Sequence, residues 1–195
     1  PFDLSGRVVV VTGGNGGIGL GMAEGLATMG AKVAIWARNE KKNAKALARL
    51  AEAPGEAMAL AVDVNSQEAV DAAMAETLEK FGRVDGMFAN AGISARKASI
   101  LDRTEEDWRR VLEANVLGVH RVFKVAATHM VERAKEGDAF GRLVVTSSTS
   151  TIFGAAGNEP YGGSKGAVLS MMRALAVELA RFGITANAIL PGWTE

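Results

Sequence analysis

Short apolar runs of strand length alternate along the chain with longer segments whose apolar residues recur at helical spacing. The predicted strands cover residues 8–11, 32–36, 57–64, 86–89, 142–146 and 185–190. The predicted helices cover residues 18–29, 39–52, 66–81, 104–136 and 160–181, with Ser66 and Thr104 as N-caps. The first strand is a run of valines, which is typical of a strand covered on both faces.

This alternation of strands and helices predicts parallel strands joined by right-handed crossovers, with helices on both faces of the sheet. The predicted fold class is therefore α/β, a Rossmann-type doubly wound parallel sheet in a single domain. Ligands of such sheets bind beyond the carboxyl ends of the strands, so we expect the chemistry directly after strands. Residues 132–141 are charged and contain glycine, and we expect them to form a surface insertion before the fifth strand.

Composition excludes several classes of function. Acidic and basic residues balance to a formal net charge of +0, which disfavours a nucleic-acid partner. The sequence has no cysteine, so it has neither a disulfide scaffold nor a thiolate metal site. The two histidines, His120 and His129, do not form a metal pair, and we expect no metal. The chain start does not have the pattern of a signal peptide and no apolar run has the length of a membrane span, so we expect a cytoplasmic protein without a membrane partner.

A glycine-rich turn follows the first strand and opens the first helix. Glycine lets the backbone turn sharply and lets a pyrophosphate approach without a Cβ in its path. The helix N-terminus then presents free N–H groups to the anion. Because the strand before it and the helix after it supply the context that the motif requires, this turn predicts a dinucleotide site. The residues predicted to bind the cofactor here are Thr12, Gly13, Asn15, Gly16, Gly17, Ile18 and Gly19.

The end of the second strand indicates which dinucleotide binds. NAD-binding proteins place a carboxylate there to bind the ribose 2′-hydroxyl, but this chain has Arg38 and no acid. A guanidinium binds a 2′-phosphate with two parallel hydrogen bonds, and Lys41 and Lys42 add positive charge. We therefore predict NADP, with NAD less favoured. The alternative is that Arg38 is a solvated residue at the start of a helix.

A tyrosine and a lysine form the candidate catalytic pair. Tyr161 is the only tyrosine, and Lys165 follows it at the spacing that puts both side chains on one face of a helix. A free phenol holds its proton too tightly for acid–base catalysis at neutral pH, whereas a neighbouring ammonium stabilises the phenolate. The pair is thus predicted to donate and accept a proton.

Several motifs in one order resemble the short-chain dehydrogenase/reductase family, in its single-domain branch. The glycine turn fits T-G-x-x-x-G-x-G, Tyr161 and Lys165 fit Y-x-x-x-K, and Ser148 precedes the tyrosine at the spacing that the family favours. The resemblance runs from Gly6 to Thr194. It also implies an adenine contact at Asp63 and Val64, a cofactor segment at Asn90, Ala91 and Gly92, a fourth catalytic position at Asn115, and a nicotinamide-side turn at Pro191, Gly192 and Thr194.

The resemblance implies a role for each candidate catalytic residue. Tyr161 would exchange the proton with the substrate oxygen, and Lys165 would favour the phenolate and bind the nicotinamide ribose. Ser148 would hold the substrate oxygen, and Asn115 would anchor a water that links Lys165 to solvent. Simpler interpretations stay open: Ser148 as an ordinary strand-end hydroxyl, and Asn115 and Asn90 as structural side chains.

The resemblance also implies what surrounds the site. Family members continue beyond the Pro191–Gly192 turn, so we expect the single domain of residues 1–195 to be C-terminally incomplete and to lack the substrate-covering segment. Residues 166–180 are apolar on more than one face of a helix, which predicts burial on two sides. Since family members pair through this helix, we expect a homodimer or homotetramer formed through residues 161–181. Trp36 and Trp108 are expected in the core, and Trp193 could line the substrate mouth.

The function expected is hydride transfer between NADP and a secondary alcohol or carbonyl compound of small size. The substrate itself stays open, and the candidates are a sugar or polyol and a 3-oxoacyl thioester. Phe182 stands where acyl-carrier-protein reductases of the family often have arginine, which disfavours a carrier-protein partner. A non-catalytic NADP-binding regulator is the alternative, and the intact Ser148, Tyr161 and Lys165 argue against it. The glycine spacing also disfavours the longer-chain epimerases and dehydratases.

Overall fold

The computed structural model describes residues 2–193, which form one sheet flanked by helices. The strands are β1 (Val8–Thr12), β2 (Lys32–Trp36), β3 (Ala57–Leu60), β4 (Gly86–Ala89), β5 (Gly141–Thr146) and β6 (Ile184–Ile189). The α-helices are α1 (Gly17–Thr28), α2 (Glu40–Leu50), α3 (Gln67–Phe81), α4 (Glu105–Leu112), α5 (Gly118–Lys135), α6 (Ser150–Phe153) and α7 (Glu159–Leu179). A π-helical segment, Glu113–Leu117, joins α4 to α5, and two 3₁₀ turns cover Ile100–Asp102 and Ala180–Phe182.

All neighbouring strands are parallel, in the order β3-β2-β1-β4-β5-β6. The direction of the strand order reverses between β1 and β4, which opens a crevice at the carboxyl ends of these two strands. Every residue of β1 is buried, as expected for a central strand covered by helices on both faces. The predicted doubly wound α/β fold is confirmed.

Each face of the sheet has its own apolar core, because alternate residues of a strand point to opposite faces. Val8 and Val10 belong to the core that is formed with α3, α5 and α7. Val9 and Val11 belong to the other core, formed with α1 and α2. The two faces therefore carry different helices to the rim of the crevice, and any ligand there is approached from both sides.

Helix ends follow the predicted signals where side chains cap them. Ser66 accepts a hydrogen bond from the Ala69 amide (3.1 Å), and Gly82 closes α3 in the left-handed conformation (φ 77). Thr104 and Asp107 form a reciprocal capping box at the start of α4. Both predicted N-caps are confirmed.

Three predicted boundaries need correction. β3 ends at Leu60 rather than at residue 64, because residues 61–65 leave the sheet at its edge and turn towards the crevice. The predicted helix over residues 104–136 is interrupted by the π-helical segment. Residues 132–141 are not a surface insertion: Arg133 lies in the last turn of α5, and its guanidinium binds Asp85 (3.1 Å) and Asp138 (3.0 Å). The short helix α6 was not predicted.

Candidate active site

Two adjoining clefts lie at the carboxyl ends of the strands. The first cleft has a volume of about 640 Å³ and the second about 990 Å³, and Gly92 and Ile93 line both. Of the predicted site residues, the first cleft is lined by Gly13, Asn15, Arg38, Asp63, Val64, Ala91 and Gly92. The second is lined by Gly16, Ile18, Gly19, Asn90, Gly92, Ser148, Tyr161, Lys165 and Gly192. Thr12, Gly17, Asn115 and Pro191 line neither cleft, and Thr194 lies outside the described residues.

The glycines of the turn have two different functions. Gly13 has a positive φ (64), and a Cβ there would lie 3.2 Å from Asn90 Nδ2; a Cβ on Gly19 would collide with the same amide. These two glycines are needed for close packing against the residues that follow β4. Gly16 and Gly17, in contrast, have no atom within 4 Å of a Cβ position. Their side of the turn is open, which leaves room for an anion at the backbone.

The N-terminus of α1 is suited to a phosphate. Gly16 is its N-cap, no side chain caps it, and its first turn contains no acidic residue. Leu20 is the residue whose amide bonds to the Gly16 carbonyl (3.2 Å), so the amides before it have no helical acceptor. Uncapped N–H groups at the positive end of a helix attract phosphate. This structure therefore fits a dinucleotide pyrophosphate.

Thr12 and Asn90 join the strands beneath this turn. Thr12 is buried, and its hydroxyl oxygen accepts hydrogen bonds from the amides of Asn90 and Ala91 (both 3.0 Å). The Asn90 side chain donates to the Thr12 carbonyl (3.1 Å) and accepts from the Thr146 hydroxyl (3.1 Å). The open interpretation of Asn90 as a structural residue fits these bonds, and the side chain of Thr12 points into the protein rather than into a cleft.

The wall that carries Arg38 is held by buried amides. Asn43, which is buried in α2, donates to the carbonyls of Ala37 (2.9 Å) and Leu60 (3.2 Å), so it ties the ends of β2 and β3 together. Asn15 donates to Asn43 Oδ1 (2.7 Å) and thereby attaches the glycine turn to α2. Sequence reasoning missed Asn43, whose only signal was a polar residue on the apolar face of a helix. The backbone before Arg38 is thus fixed, while the Arg38 side chain is exposed.

The hydroxyl groups after β5 are not equivalent. Thr146 donates to Asn90, Ser147 donates to the Lys165 carbonyl (3.0 Å), and Thr149 donates to the Pro191 carbonyl (3.3 Å). Ser148 Oγ instead accepts a hydrogen bond from the Ser150 amide (3.1 Å). Ser148 Oγ donates no hydrogen bond to another described residue, so its proton remains available, and Ser148 lines the second cleft. This distinguishes Ser148 from Thr146, Ser147 and Thr149, whereas Ser150 Oγ likewise has no partner among the described residues and lines the same cleft.

Lys165 is a buried cation without a carboxylate partner among the described residues. Its side chain lies in α7, the residue is 4 % exposed, and Nζ donates to the Thr146 carbonyl (2.7 Å). Burial lowers the pKa of Lys165 from 10.5 to about 8. Nζ lies 5.5 Å from the centre of the Tyr161 ring, and both residues line the second cleft. The predicted pair is thus brought together at the site.

Asn115 lies in the π-helical segment and holds the loop after β4. Its Oδ1 accepts from the Ile93 amide (2.8 Å), and its Nδ2 donates to the Ile93 carbonyl (2.9 Å) and to Ser164 Oγ (3.0 Å). A Cβ on Gly92 would lie 3.0 Å from Asn115 Oδ1 and 3.5 Å from Lys165 Nζ. Asn115 therefore has a structural bridging role, and its oxygen also faces the same small space as the lysine.

Arg103 is a second residue that sequence reasoning missed. Its side chain is 3 % exposed, and it donates to the carbonyls of Ala95 and Gly157 (2.7 Å to the latter) and to the Glu159 carboxylate (3.1 Å). Ala95 follows the segment that lines both clefts, and Glu159 begins α7, which carries Tyr161. Arg103 thus connects the two walls of the second cleft. No local pattern indicates its role, since Gly157 and Glu159, through which it reaches α7, are distant in sequence.

Of the two tryptophans expected in the core, Trp36 lies there and Trp108 does not. Trp36 is fully buried, and its Nε1 donates to Thr77 Oγ1 (3.1 Å). Trp108 is partly buried against Gly163 of α7. Trp193 is 98 % exposed and lines the second cleft together with Phe153, so both aromatic side chains lie at its mouth.

Within residues 2–193, no group of three or more His, Cys, Asp or Glu side chains is arranged to hold a metal ion. Over the same part of the chain, no helix has the length and apolar character that crossing a membrane requires.

The fold and the site together define a dinucleotide-binding oxidoreductase, and comparison with known proteins gives its family. Residues 7–195 match the family described as short chain dehydrogenase, so the chain belongs to the short-chain dehydrogenases. The resemblance inferred from the motifs is confirmed.

Individual relatives show the range of the family around this chain. It is 35 % identical to the 3-oxoacyl-acyl-carrier-protein reductase MabA of Mycobacterium bovis, over 97 % of this chain and 70 % of that protein. It is 34 % identical to the 2,5-dichloro-2,5-cyclohexadiene-1,4-diol dehydrogenase of Sphingobium indicum, over 97 % and 73 % of the two chains. The crystal structure of NAD⁺-bound xylitol dehydrogenase superimposes with a TM-score of 0.91 at 35 % identity, over 97 % of this chain and 71 % of that chain.

Proposed function

We propose that this protein transfers a hydride between NADP and a secondary alcohol or carbonyl compound. The observation that carries the proposal is that Tyr161, Lys165 and Ser148 line the second cleft together. The cleft is also lined by Gly16 at the uncapped N-terminus of α1, which we call the phosphate cradle. Lys165 has no carboxylate partner within residues 2–193, so its burial is not offset by an ion pair. Uncompensated buried cations are costly and are typical of functional sites.

The side chains divide the work at the substrate oxygen. The Ser148 hydroxyl donates a hydrogen bond to that oxygen and so holds the oxygen in place. Tyr161 gives the proton in reduction and takes it in oxidation, and Lys165 stabilises the phenolate from one turn away. Asn115 fixes the loop over Lys165. When bound, the nicotinamide supplies the two-electron chemistry, so the protein supplies position and electrostatics.

The choice of NADP rests on the charge of the first cleft. Arg38 and Lys42 line it, and Asp63 is the acid among its lining residues. Asp63 also accepts a hydrogen bond from the Asn65 amide (3.0 Å), in a turn after β3 rather than at the end of β2. The carboxylate that would bind a ribose 2′-hydroxyl at the end of β2 is absent. The NAD⁺ in the related xylitol dehydrogenase structure makes this a point for direct measurement.

Calorimetric titration with NADP⁺ and NAD⁺ tests the cofactor proposal. The wild type should bind NADP⁺ at least ten-fold more tightly, because charge-assisted bonds to a phosphate contribute about 1.5–3 kcal/mol each. Arg38→Ala should reduce this preference strongly while leaving NAD⁺ affinity within about two-fold. A wild type that binds NAD⁺ more tightly would overturn the assignment.

The substrate is proposed to be a sugar or polyol, or a 3-oxoacyl compound. Relatives of both types occur, since MabA is named a 3-oxoacyl-acyl-carrier-protein reductase and a solved relative is named a xylitol dehydrogenase. Oxidation of NADPH should be assayed with ketones, keto-sugars and acyl thioesters, with NADH as the control. Turnover of a keto-sugar or an acyl thioester with NADPH supports the proposal, whereas turnover of the simple ketones alone, or no turnover with either cofactor, contradicts it.

We also propose that two copies pair through α7. Val177 is 84 % exposed although it lies on an apolar helix, and Ala167 and Ala174 are exposed beside it. Exposed apolar side chains on one helix face favour a two-fold contact. Sedimentation equilibrium at micromolar concentration should give a dimer or tetramer, and Val177→Glu should shift it to the monomer. A wild-type monomer would refute the proposal.

A further inference from the structure

Arg110 approaches the first cleft from the side opposite to Arg38. It lies on α4, is exposed, and lines that cleft together with Val64 and Ala114. This wall lies on the face of the sheet that α5 covers. A Cβ on Gly118, at the start of α5, would lie 2.9 Å from Val64 Cγ2. Arg38 and Lys42 come from the end of β2 and from α2, on the other face. The cleft is therefore bounded by cations on both walls.

Arg110 is not engaged elsewhere in the described part of the chain. Its neighbour Arg109 pairs with Glu105 (2.7 Å), and Glu113 pairs with Arg121 (2.6 Å). Among residues 2–193, no carboxylate oxygen lies within 4 Å of the Arg110 guanidinium, and no hydrogen bond fixes it. The charge and the planar face of this guanidinium thus remain available to a ligand in the cleft.

The wall beneath Arg110 is apolar and suits a flat ring. Val64, Ala114 and Ile93 form that wall. In doubly wound sheets the dinucleotide lies across the carboxyl ends of the strands, with the ribose at the end of the second strand, so the adenine lies towards β3. A planar guanidinium stacks on aromatic faces, where its charge also attracts the π-system.

We propose that Arg110 forms the outer wall of the adenine pocket and stacks on the adenine ring. The two cationic walls then have separate tasks. Arg38 and Lys42 recognise the 2′-phosphate, and Arg110 holds the base that NADP and NAD share. The inference rests on the proposed function only in requiring an adenine dinucleotide, and not in requiring NADP.

The test is a calorimetric titration of NADP⁺ and NAD⁺ into the full chain and four variants: Arg110→Ala, Arg110→Lys, Arg109→Ala and Arg38→Ala. Arg110→Ala should weaken both dinucleotides by the same factor, roughly three- to ten-fold. Arg110→Lys should lose most of this affinity as well, because an ammonium has no planar face. Arg109→Ala, which changes the adjacent arginine of the same helix, should bind both ligands as the wild type does.

The other outcomes either overturn the stacking inference or separate it from the NADP assignment. Equal affinities for Arg110→Ala and Arg109→Ala remove Arg110 from the site. A loss confined to NADP⁺ makes Arg110 a phosphate contact rather than a stacking residue, and wild-type affinity in Arg110→Lys reduces its role to charge alone. If Arg38→Ala has no effect while Arg110→Ala weakens both ligands, the NADP assignment fails and the stacking inference stands. A wild type that binds neither dinucleotide overturns both.

Discussion

The two edges of the sheet each bury a charge, and they treat it in opposite ways. At the amino edge the carboxylate of Asp85 is 2 % exposed and is surrounded by Arg7, Arg83 and Arg133. At the carboxyl edge Lys165 is buried, and within residues 2–193 its ammonium has only the Thr146 carbonyl as a hydrogen-bond partner. A buried charge that is fully paired contributes to a unique packed structure, whereas an unpaired one lowers stability and remains available for chemistry. The difference indicates which edge maintains the fold and which is built for a ligand.

The pairing at the amino edge is extensive. Asp85 accepts hydrogen bonds from the Val8 amide (3.0 Å), from Arg83 Nε (2.9 Å) and from Arg133 Nη2 (3.1 Å). Burial alone raises the pKa of Asp85, but the hydrogen bonds from Arg83 and Val8 and the nearby arginine charges outweigh burial and hold the pKa below its usual value. This one carboxylate connects the start of β1, the end of α3 and the end of α5.

The largest effect on the free energy of unfolding is expected from Asp85→Asn, which removes the charge that is paired at the amino edge. Removing one partner of a buried ion network leaves arginine charges uncompensated, so the free energy of unfolding should fall by about 3 kcal/mol. Urea denaturation measures this loss. Turnover for each folded molecule should stay unchanged, since Asp85 lies at the edge opposite the clefts.

Asp138→Asn is the matched control, because Asp138 binds the same arginines but its side chain is 45 % exposed. It should lose less than about 1 kcal/mol. The lowered pKa of Asp85 also sets a pH dependence. As pH falls, the unfolded state takes up the proton first, so the stability that Asp85 contributes is lost in acid below about pH 4. The difference between wild type and Asp85→Asn should shrink there. Equal losses for both variants at pH 7 would contradict the account.

Arg103→Gln should have the next largest effect on the free energy of unfolding. This arginine is a paired, buried cation at the carboxyl edge, and its loss leaves two carbonyls and the Glu159 carboxylate without their donor. The free energy of unfolding should fall by about 2 kcal/mol in urea denaturation. Arg109→Gln, whose side chain is 69 % exposed, should change it by less than about 0.5 kcal/mol. If the two variants are equally stable, the link between the walls of the second cleft is unimportant.

Lys165→Met should change the free energy of unfolding by less and should raise it rather than lower it. Removing the buried ammonium relieves a cost of up to about 3 kcal/mol, but it leaves the Thr146 carbonyl unpaired, so we expect a net gain of about 1–2 kcal/mol. Because the folded pKa of about 8 lies below the unfolded value, the wild type gains stability as pH rises through this range. Thermal melting from pH 6.5 to 9.5 should show the two proteins converging. A variant less stable than the wild type at pH 7 would contradict the account.

Local patterns predicted the parts of the molecule whose causes are local. The valine run predicted β1, the caps Ser66 and Thr104 predicted two helix starts, and the spacing of Tyr161 and Lys165 predicted a shared helix face. Each of these features depends on residues that are close in the sequence. The parallel direction of the strands then follows from the alternation of strands and helices.

The rest depends on contacts between distant residues, for which a single sequence has no signal. Asn115 holds Ile93, Arg103 holds Gly157, and Arg133 holds Asp85. The π-helical turn around Asn115 was missed because one additional residue in a turn barely alters an apolar period of helical length. Arg133 was assigned to a surface insertion because a charged segment with glycines has the composition of a loop, although its charges are neutralised within the fold.

The central claim is that the carboxyl edge performs the chemistry through Tyr161. Tyr161→Phe removes one oxygen from a partly exposed side chain, so the fold and the phosphate cradle should persist. Parallel measurement of NADPH affinity and of turnover with the best substrate of the panel is the direct test. We predict an NADPH affinity within about two-fold of the wild type and a turnover at least a hundred-fold lower, as expected for loss of a general acid–base group. Turnover equal to that of the wild type would contradict the account.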